Sequence, residues 1–142
     1  MNKRIISFLI IISILVTAVP FSVSAAEGRA SDYIDKYSAL LSSGDSSGEL
    51  DLTYSILTHI TGVTRLGVLA IFVYRTDGSI AKTIIGNTTN GLLRTSGSVA
   101  SGTYTITMEP GVAYYCNIRF VAENASGSDS RPYTTNTAVA PL

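Results

Sequence analysis

The chain has no tryptophan, one cysteine, one histidine and four prolines in 142 residues, and only 14% of them are charged. Each scarcity excludes something. With Cys116 alone no internal disulfide can form, so burial and hydrogen bonding must hold the fold together. Cys116 shares its parity with Ile118 and Phe120, which reads as a buried, inert thiol, because a reactive thiol needs a cationic and partly exposed setting. An intermolecular disulfide is the sharper alternative. His59, with no second His or Cys nearby, builds no zinc site. It also has no evident carboxylate to orient it as a catalytic base for a nucleophile. No Gly-x-Ser-x-Gly, no phosphate-binding glycine loop and no His-Glu-x-x-His occurs. No spaced carboxylate pair of the glycosidase kind stands in an apolar frame. Asp45, Glu49 and Asp51 beside glycines lack calcium-loop spacing and read as a solvated turn. No catalytic residue, cofactor or metal site is therefore assigned, and the chain is read as a non-enzyme.

Lys and Arg together number ten, as do Asp and Glu. Asn2-Lys3-Arg4 opens the chain, and Ile5 to Val19 follows as an apolar run without a charge. Pro20 breaks it before the small residues Ser24, Ala25 and Ala26. That order is the pattern of a secretory signal peptide over residues 1–25, too short to favour a membrane span. Cleavage after Ala25, or after Ala26, leaves one domain, residues 26–142. An uncleaved anchor is the alternative. Without Lys3 and Arg4 eight basic residues face ten acidic ones, a charge of −2. That balance argues against nucleic acid or an anionic membrane as partner, since both need clustered cations. The expected product is secreted and touches the membrane only through its signal peptide.

What is present is alternation. Tyr104, Ile106 and Met108 alternate with polar residues, and Glu109-Pro110-Gly111 makes a turn. Tyr114, Cys116, Ile118, Phe120 and Ala122 then share one strand face. Tyr115, Asn117, Arg119 and Glu123 share the other, with Val121 the apolar exception. Asn124-Ala125-Ser126-Gly127 reads as a hairpin turn. Upstream, Tyr37, Ala39 and Leu41 open a strand, with Glu27 to Lys36 before it either a helical turn or a strand start. Ser42 to Gly48 is a turn segment, and Leu50, Leu52, Tyr54 and Ile56 form a second strand. Val68 to Tyr74 is apolar at both parities, as in a strand covered on both faces. Asp77-Gly78 is a hairpin signal, with Ile80 to Ile85 returning. Asn87 to Gly91 and Ser96 to Gly102 read as loops around a short element near Leu92. Tyr133, Thr135, Thr137 and Val139 alternate in a last strand that Pro132 can open only at an edge. About seven strands with no long helix make an antiparallel β-sandwich the expected fold.

Met108-Glu109-Pro110-Gly111-Val112-Ala113-Tyr114 resembles the Leu-x-Pro-Gly-x-x-Tyr corner of fibronectin type III domains. Tyr114-Tyr115-Cys116 is similar to the Tyr-x-Cys of immunoglobulin domains. The resemblance implies a seven-stranded sandwich in which the Tyr114 ring is buried and its hydroxyl bonds upstream backbone. No partner cysteine and no Trp accompany it, and the hairpin is about two residues longer than the fibronectin form. The mature chain as a whole also resembles small secreted Gram-positive (Firmicutes) proteins of a domain-of-unknown-function family, through Arg29 to Ile34 and Gly127 to Asn136. That likeness implies export and a single β domain, and no activity.

The leading functional expectation is a secreted binding or adhesion module for an extracellular protein or glycan. Tyr115 and Arg119 are candidates for a surface patch, and half-burial of Tyr115 under a neighbouring strand is the plainer alternative. Asp129 and Arg131 are a candidate surface ion pair. The other expectations are a structural subunit that self-assembles through an edge such as the Pro132 strand, and a secreted effector such as an inhibitor or toxin. Intact-mass and N-terminal analysis of the chain recovered from culture medium should find Ala26 or Glu27 first. A product that retains Met1 contradicts the signal-peptide reading.

Overall fold

The computed structural model describes residues 32–142, and the expected signal peptide lies outside them. No helix occurs in the described residues. The strands are β1 (Lys36–Ser43), β2 (Glu49–Leu57), β3 (Val63–Arg75), β4 (Ile80–Ile85), β5 (Leu93–Arg94), β6 (Val99–Thr107), β7 (Ala113–Asn124), β8 (Gly127–Thr134) and β9 (Ala138–Val139). They form two antiparallel sheets, β1-β2-β6 and β4-β3-β7-β8, with β5 added on β3 and β9 on β7. The two sheets enclose one core and make a β-sandwich.

Alternation becomes layering directly. Leu50, Leu52, Tyr54 and Ile56 are buried on β2, and Tyr114, Cys116, Ile118, Phe120 and Ala122 on β7. Side chains of period two put one set inward and leave the intervening polar set outside. β3 lies between β7 on one side and β4 with β5 on the other, and its Leu66, Val68, Ile71 and Val73 are buried. Gly67, at φ 138°, lets Val68 N donate to the Leu92 carbonyl at 2.8 Å. A Cβ on Gly67 would stand 2.1 Å from that oxygen, so only glycine fits there.

Several expectations need correction. Ser96 to Gly102 is not wholly a loop, because Val99 to Gly102 belongs to β6 and pairs with β2. A Ser/Gly-rich stretch has weak strand propensity, and a long partner strand overrides it. β1 runs on through Ser42 and Ser43, opposite Asp51 and Leu50. Neither a helical turn nor a strand precedes it over residues 32–35, where Ile34 is already buried. The single last strand is in fact two. β8 starts at Gly127, directly after the hairpin turn, and Pro132 sits inside it rather than opening it. This is tolerated because β8 is an edge, where a missing N–H breaks no ladder. At Thr135 the ladder is half kept: its N–H donates to the Cys116 carbonyl at 2.9 Å while Cys116 N donates to Thr135 Oγ1 at 2.9 Å, and strand pairing resumes at β9.

The Tyr114 ring is fully buried, as the resemblance implies, yet its hydroxyl has no hydrogen-bond partner among the described residues. The expected bond to upstream backbone is absent. Gly111 N instead donates to the Ala140 carbonyl at 2.8 Å, drawing the Pro110-Gly111 turn toward the C-terminal segment. Removing an unpaired buried hydroxyl should cost nothing. Tyr114→Phe is expected to leave stability unchanged or raise it by about 1–3 kcal/mol, the penalty of an unsatisfied buried polar group. Chemical denaturation checks this, and a loss of about 1 kcal/mol would point to a stapling bond instead.

Candidate functional site: the outer face of the six-stranded sheet

The inward set on β3 and β7 fixes what the same strands show to solvent. Register places Tyr74 opposite Tyr115 and Phe72 opposite Asn117, with buried Ala70 opposite Arg119. On the β4 side these rungs continue to Ile80, Thr83 and Ile85, and on the β8 side Thr134 and Pro132 flank Asn117 and Arg119. The Tyr74 and Tyr115 rings stack at 5.3 Å between centroids and 10° between planes. Such a pair contributes about 0.5–1.5 kcal/mol beyond the area it buries. Tyr115 is half-buried, and the cover comes from Tyr74, a residue that sequence periodicity placed only in an all-apolar strand. Ile80 and Ile85 stand 57% and 62% exposed at the β4 margin. Arg119 is exposed, and no ion pair engages it among the described residues.

Tyr115 and Arg119 share this face but do not touch as one patch. Four residues of strand put them about 13 Å apart, and Asn117 lies between them, its Nδ2 donating to Thr134 Oγ1 at 3.2 Å. Phe72, half-buried, stands across from Asn117 on the same face. Arg65 and Glu123 form an ion pair at 2.6 Å further along the same pair of strands. The expected Asp129–Arg131 pair forms at 3.1 Å.

His59 is placed differently from the sequence expectation. Its Nδ1 lies 2.5 Å from Asp35 Oδ1, so a carboxylate does orient the ring. The two residues are far apart in sequence, and Asp35 arrives because Asp35 N donates to the Leu57 carbonyl at 2.9 Å beside the end of β2. Both side chains are substantially exposed. Thr58 next to them is buried, and its hydroxyl donates to the Tyr33 carbonyl, so it is not free for chemistry. Asp35 also borders a groove lined by Lys36, Tyr37, Ser38, Ser55, Leu57 and Val99 on the three-stranded sheet.

Among the described residues no three His, Cys, Asp or Glu side chains gather as a cation would require. Asp51 instead accepts from the Thr105 hydroxyl at 2.7 Å. Burial pushes the Tyr54 hydroxyl above its usual value, opposed by Arg94, and Tyr54 donates to the Gly91 carbonyl at 3.0 Å. At the β3–β4 hairpin the Ser79 hydroxyl and N–H hold the Asp77 carboxyl below the usual range.

With this geometry in view, no protein-family model and no curated protein matches the chain.

Cys116 faces the core and burial pushes its thiol up to about 12. The neutral form is thus favoured in the folded state, whereas the unfolded thiol ionises near 9.0. Above that value the unfolded chain loses its proton first, so stability falls as pH rises toward about 12. Thermal unfolding across this window should show a steeper loss for wild type than for Cys116→Ala. Maleimide should modify the native thiol far more slowly than the denatured one, and equal rates would place Cys116 outside the core.

Proposed function

We propose that this chain is a secreted, non-enzymatic binding or adhesion module that docks an extracellular partner on the outer face of its six-stranded sheet. The observation that carries this reading is the Tyr74–Tyr115 stack, continued by Phe72 and bordered by Ile80 and Ile85 left in solvent. Rigid aromatic anchors with an unpaired Arg are the residue types that supply binding energy at interfaces. The stacked rings shield each other's inner faces and offer edges and hydroxyls, which suits a protein surface better than a sugar ring lying flat. Export follows from the cationic opening, apolar run and small-residue site at the N-terminus.

We read the domain as fibronectin type III- or immunoglobulin-like, a relative in fold of the small secreted Gram-positive proteins it resembles. The order β1-β2-β6 against β4-β3-β7-β8 supports this, since it matches a three-stranded sheet facing a four-stranded one in such domains. The missing bond from the Tyr114 hydroxyl counts against a full tyrosine corner. Self-assembly through the Pro132 strand finds no support, because β8 carries Pro132 and the Asp129–Arg131 pair on its edge.

Affinity capture from the producing cell's envelope and surroundings, run in parallel with wild type, Tyr74→Ser/Tyr115→Ser and Arg119→Glu, tests the reading. The bound species should be retained by wild type and weakened by about tenfold or more in each variant, the effect of losing an interface anchor. Equal retention by the folded variants would remove this face as the docking surface.

A further inference from the structure

The sandwich has edges at β1 and β6 in one sheet and at β4 and β8 in the other. An edge strand exposes unpaired N–H and C=O groups, and proteins blunt such edges with charge, proline, bulges or cover. Three of these edges are blunted. β8 carries Pro132 and a charged pair. β4 is six residues long, has Lys82 in its middle and shifts register against β3 between Val73 and Tyr74. On β1 the backbone of Leu41 is occupied: Asn136 Oδ1 accepts from Leu41 N at 3.0 Å, and Asn136 Nδ2 donates to Leu41 O at 2.8 Å.

β6 has none of these devices. Its nine residues, Val-Ala-Ser-Gly-Thr-Tyr-Thr-Ile-Thr, include no charge and no proline, and they pair with β2 without a register shift. Just beyond its ends Thr58 N donates to Ser98 O at 2.9 Å and Met108 N to Gly48 O at 2.7 Å. Antiparallel alternation between those two bonds turns the even-numbered residues toward β2. Val99, Ser101, Thr103, Thr105 and Thr107 therefore aim their backbone N–H and C=O groups away from the sheet. Among the described residues the one side chain meeting these groups is Lys82, whose Nζ donates to Thr107 O at 3.0 Å, at the last position. A carbonyl has a second lone pair, so this contact leaves room for another donor.

The geometry points to a second copy of this chain as the occupant of that edge, β6 against β6, antiparallel, with a two-fold axis through Thr103. A two-fold interface must be self-complementary, and this strand is so position by position. Thr103 meets Thr103 of the second copy, Tyr104 meets Gly102, Thr105 meets Ser101, Ile106 meets Ala100 and Thr107 meets Val99. At the inward positions a large side chain meets a small one each time. At the outward positions hydroxyl meets hydroxyl at Thr103 and at Thr105 with Ser101, extending the Thr53–Thr103 contact at 3.2 Å already present in the sheet. No charge is brought against its like. Moving the axis to Tyr104 would oppose two rings and leave the strand ends unpaired. The axis at Thr103 alone engages the full strand and joins two three-stranded sheets into one. This surface lies in the other sheet from the aromatic face, so it does not rest on the binding reading.

Register gives a sharp test. Thr103→Cys puts two thiols at the axis, where paired residues stand about 5.5 Å apart between Cα atoms, within disulfide reach. Val99→Cys puts the two thiols at opposite ends of the paired strands. Under mild oxidation Thr103→Cys should give a covalent dimer and Val99→Cys should not, with buried Cys116 taking no part. In sedimentation velocity the wild type should pass from one chain to two as concentration rises. Thr103→Pro, which removes an outward N–H, and Thr103→Lys, which sets like charges at the axis, should abolish the dimer while the variants still unfold cooperatively as β-proteins, with a midpoint that no longer rises with concentration as the wild type's does. Wild type sedimenting as one chain throughout, or equal cross-linking of both cysteine variants, overturns the proposal.

Discussion

The pairing of β7 with β3 is the constraint on which the rest depends. β7 alternates from Tyr114 to Phe120, beyond which Val121 and Ala122 are both buried, and β3 beside it is apolar at both parities. A slip of one residue would drive Asn117, Arg119 and Glu123 into the core and put Cys116, Ile118 and Phe120 into water. Moving an unpaired charge inward costs several kcal/mol, so one register is selected strongly. The other strands are then placed by what this pair leaves uncovered. β4 and β5 share one side of β3, β8 and β9 share one side of β7, and the three-stranded sheet covers the inner face.

The same register that buries Phe120 also creates the outer face. Because Val73 must lie inward opposite Cys116, Tyr74 must lie outward opposite Tyr115. The stacked rings are thus a consequence of core alignment, and a surface made this way is rigid. Its side chains stand on the two most central strands of the molecule rather than on loops. A binding face there needs little ordering on contact, which lowers the entropic cost of association.

The two seams of the sandwich are closed unequally. On the β1–β8 side Tyr37, Phe120 and Tyr133 form a mutually tilted aromatic cluster with centroids 5.6 to 6.4 Å apart. Asn136 and Ser43, the latter donating to the Val139 carbonyl at 2.7 Å, tie β1 to the C-terminal segment. On the β4–β6 side the described side-chain hydrogen bonds across the gap run from Lys82 to Thr107 and from Tyr54 to Gly91. The C-terminal segment supplies most of this difference. It seals one seam with aromatic area and backbone bonds and leaves the β6 edge bare.

Residue order alone determined the alternating strands, the Asp77-Gly78 and Asn124 to Gly127 turns, the burial of Cys116 and Tyr114, and the sandwich class. These follow from period-two hydrophobicity and turn chemistry, which are local and survive without knowledge of neighbours. Tertiary structure alone decided that Val99 to Gly102 is strand, because its partner β2 is some forty residues away in sequence. It likewise decided that the last segment splits into β8 and β9, that Asp35 meets His59 and that Tyr74 meets Tyr115. Each of these depends on which strands become neighbours and in what register. Single-chain periodicity fixes which way a side chain points, whereas its partner across a strand or seam is set only when distant segments pack.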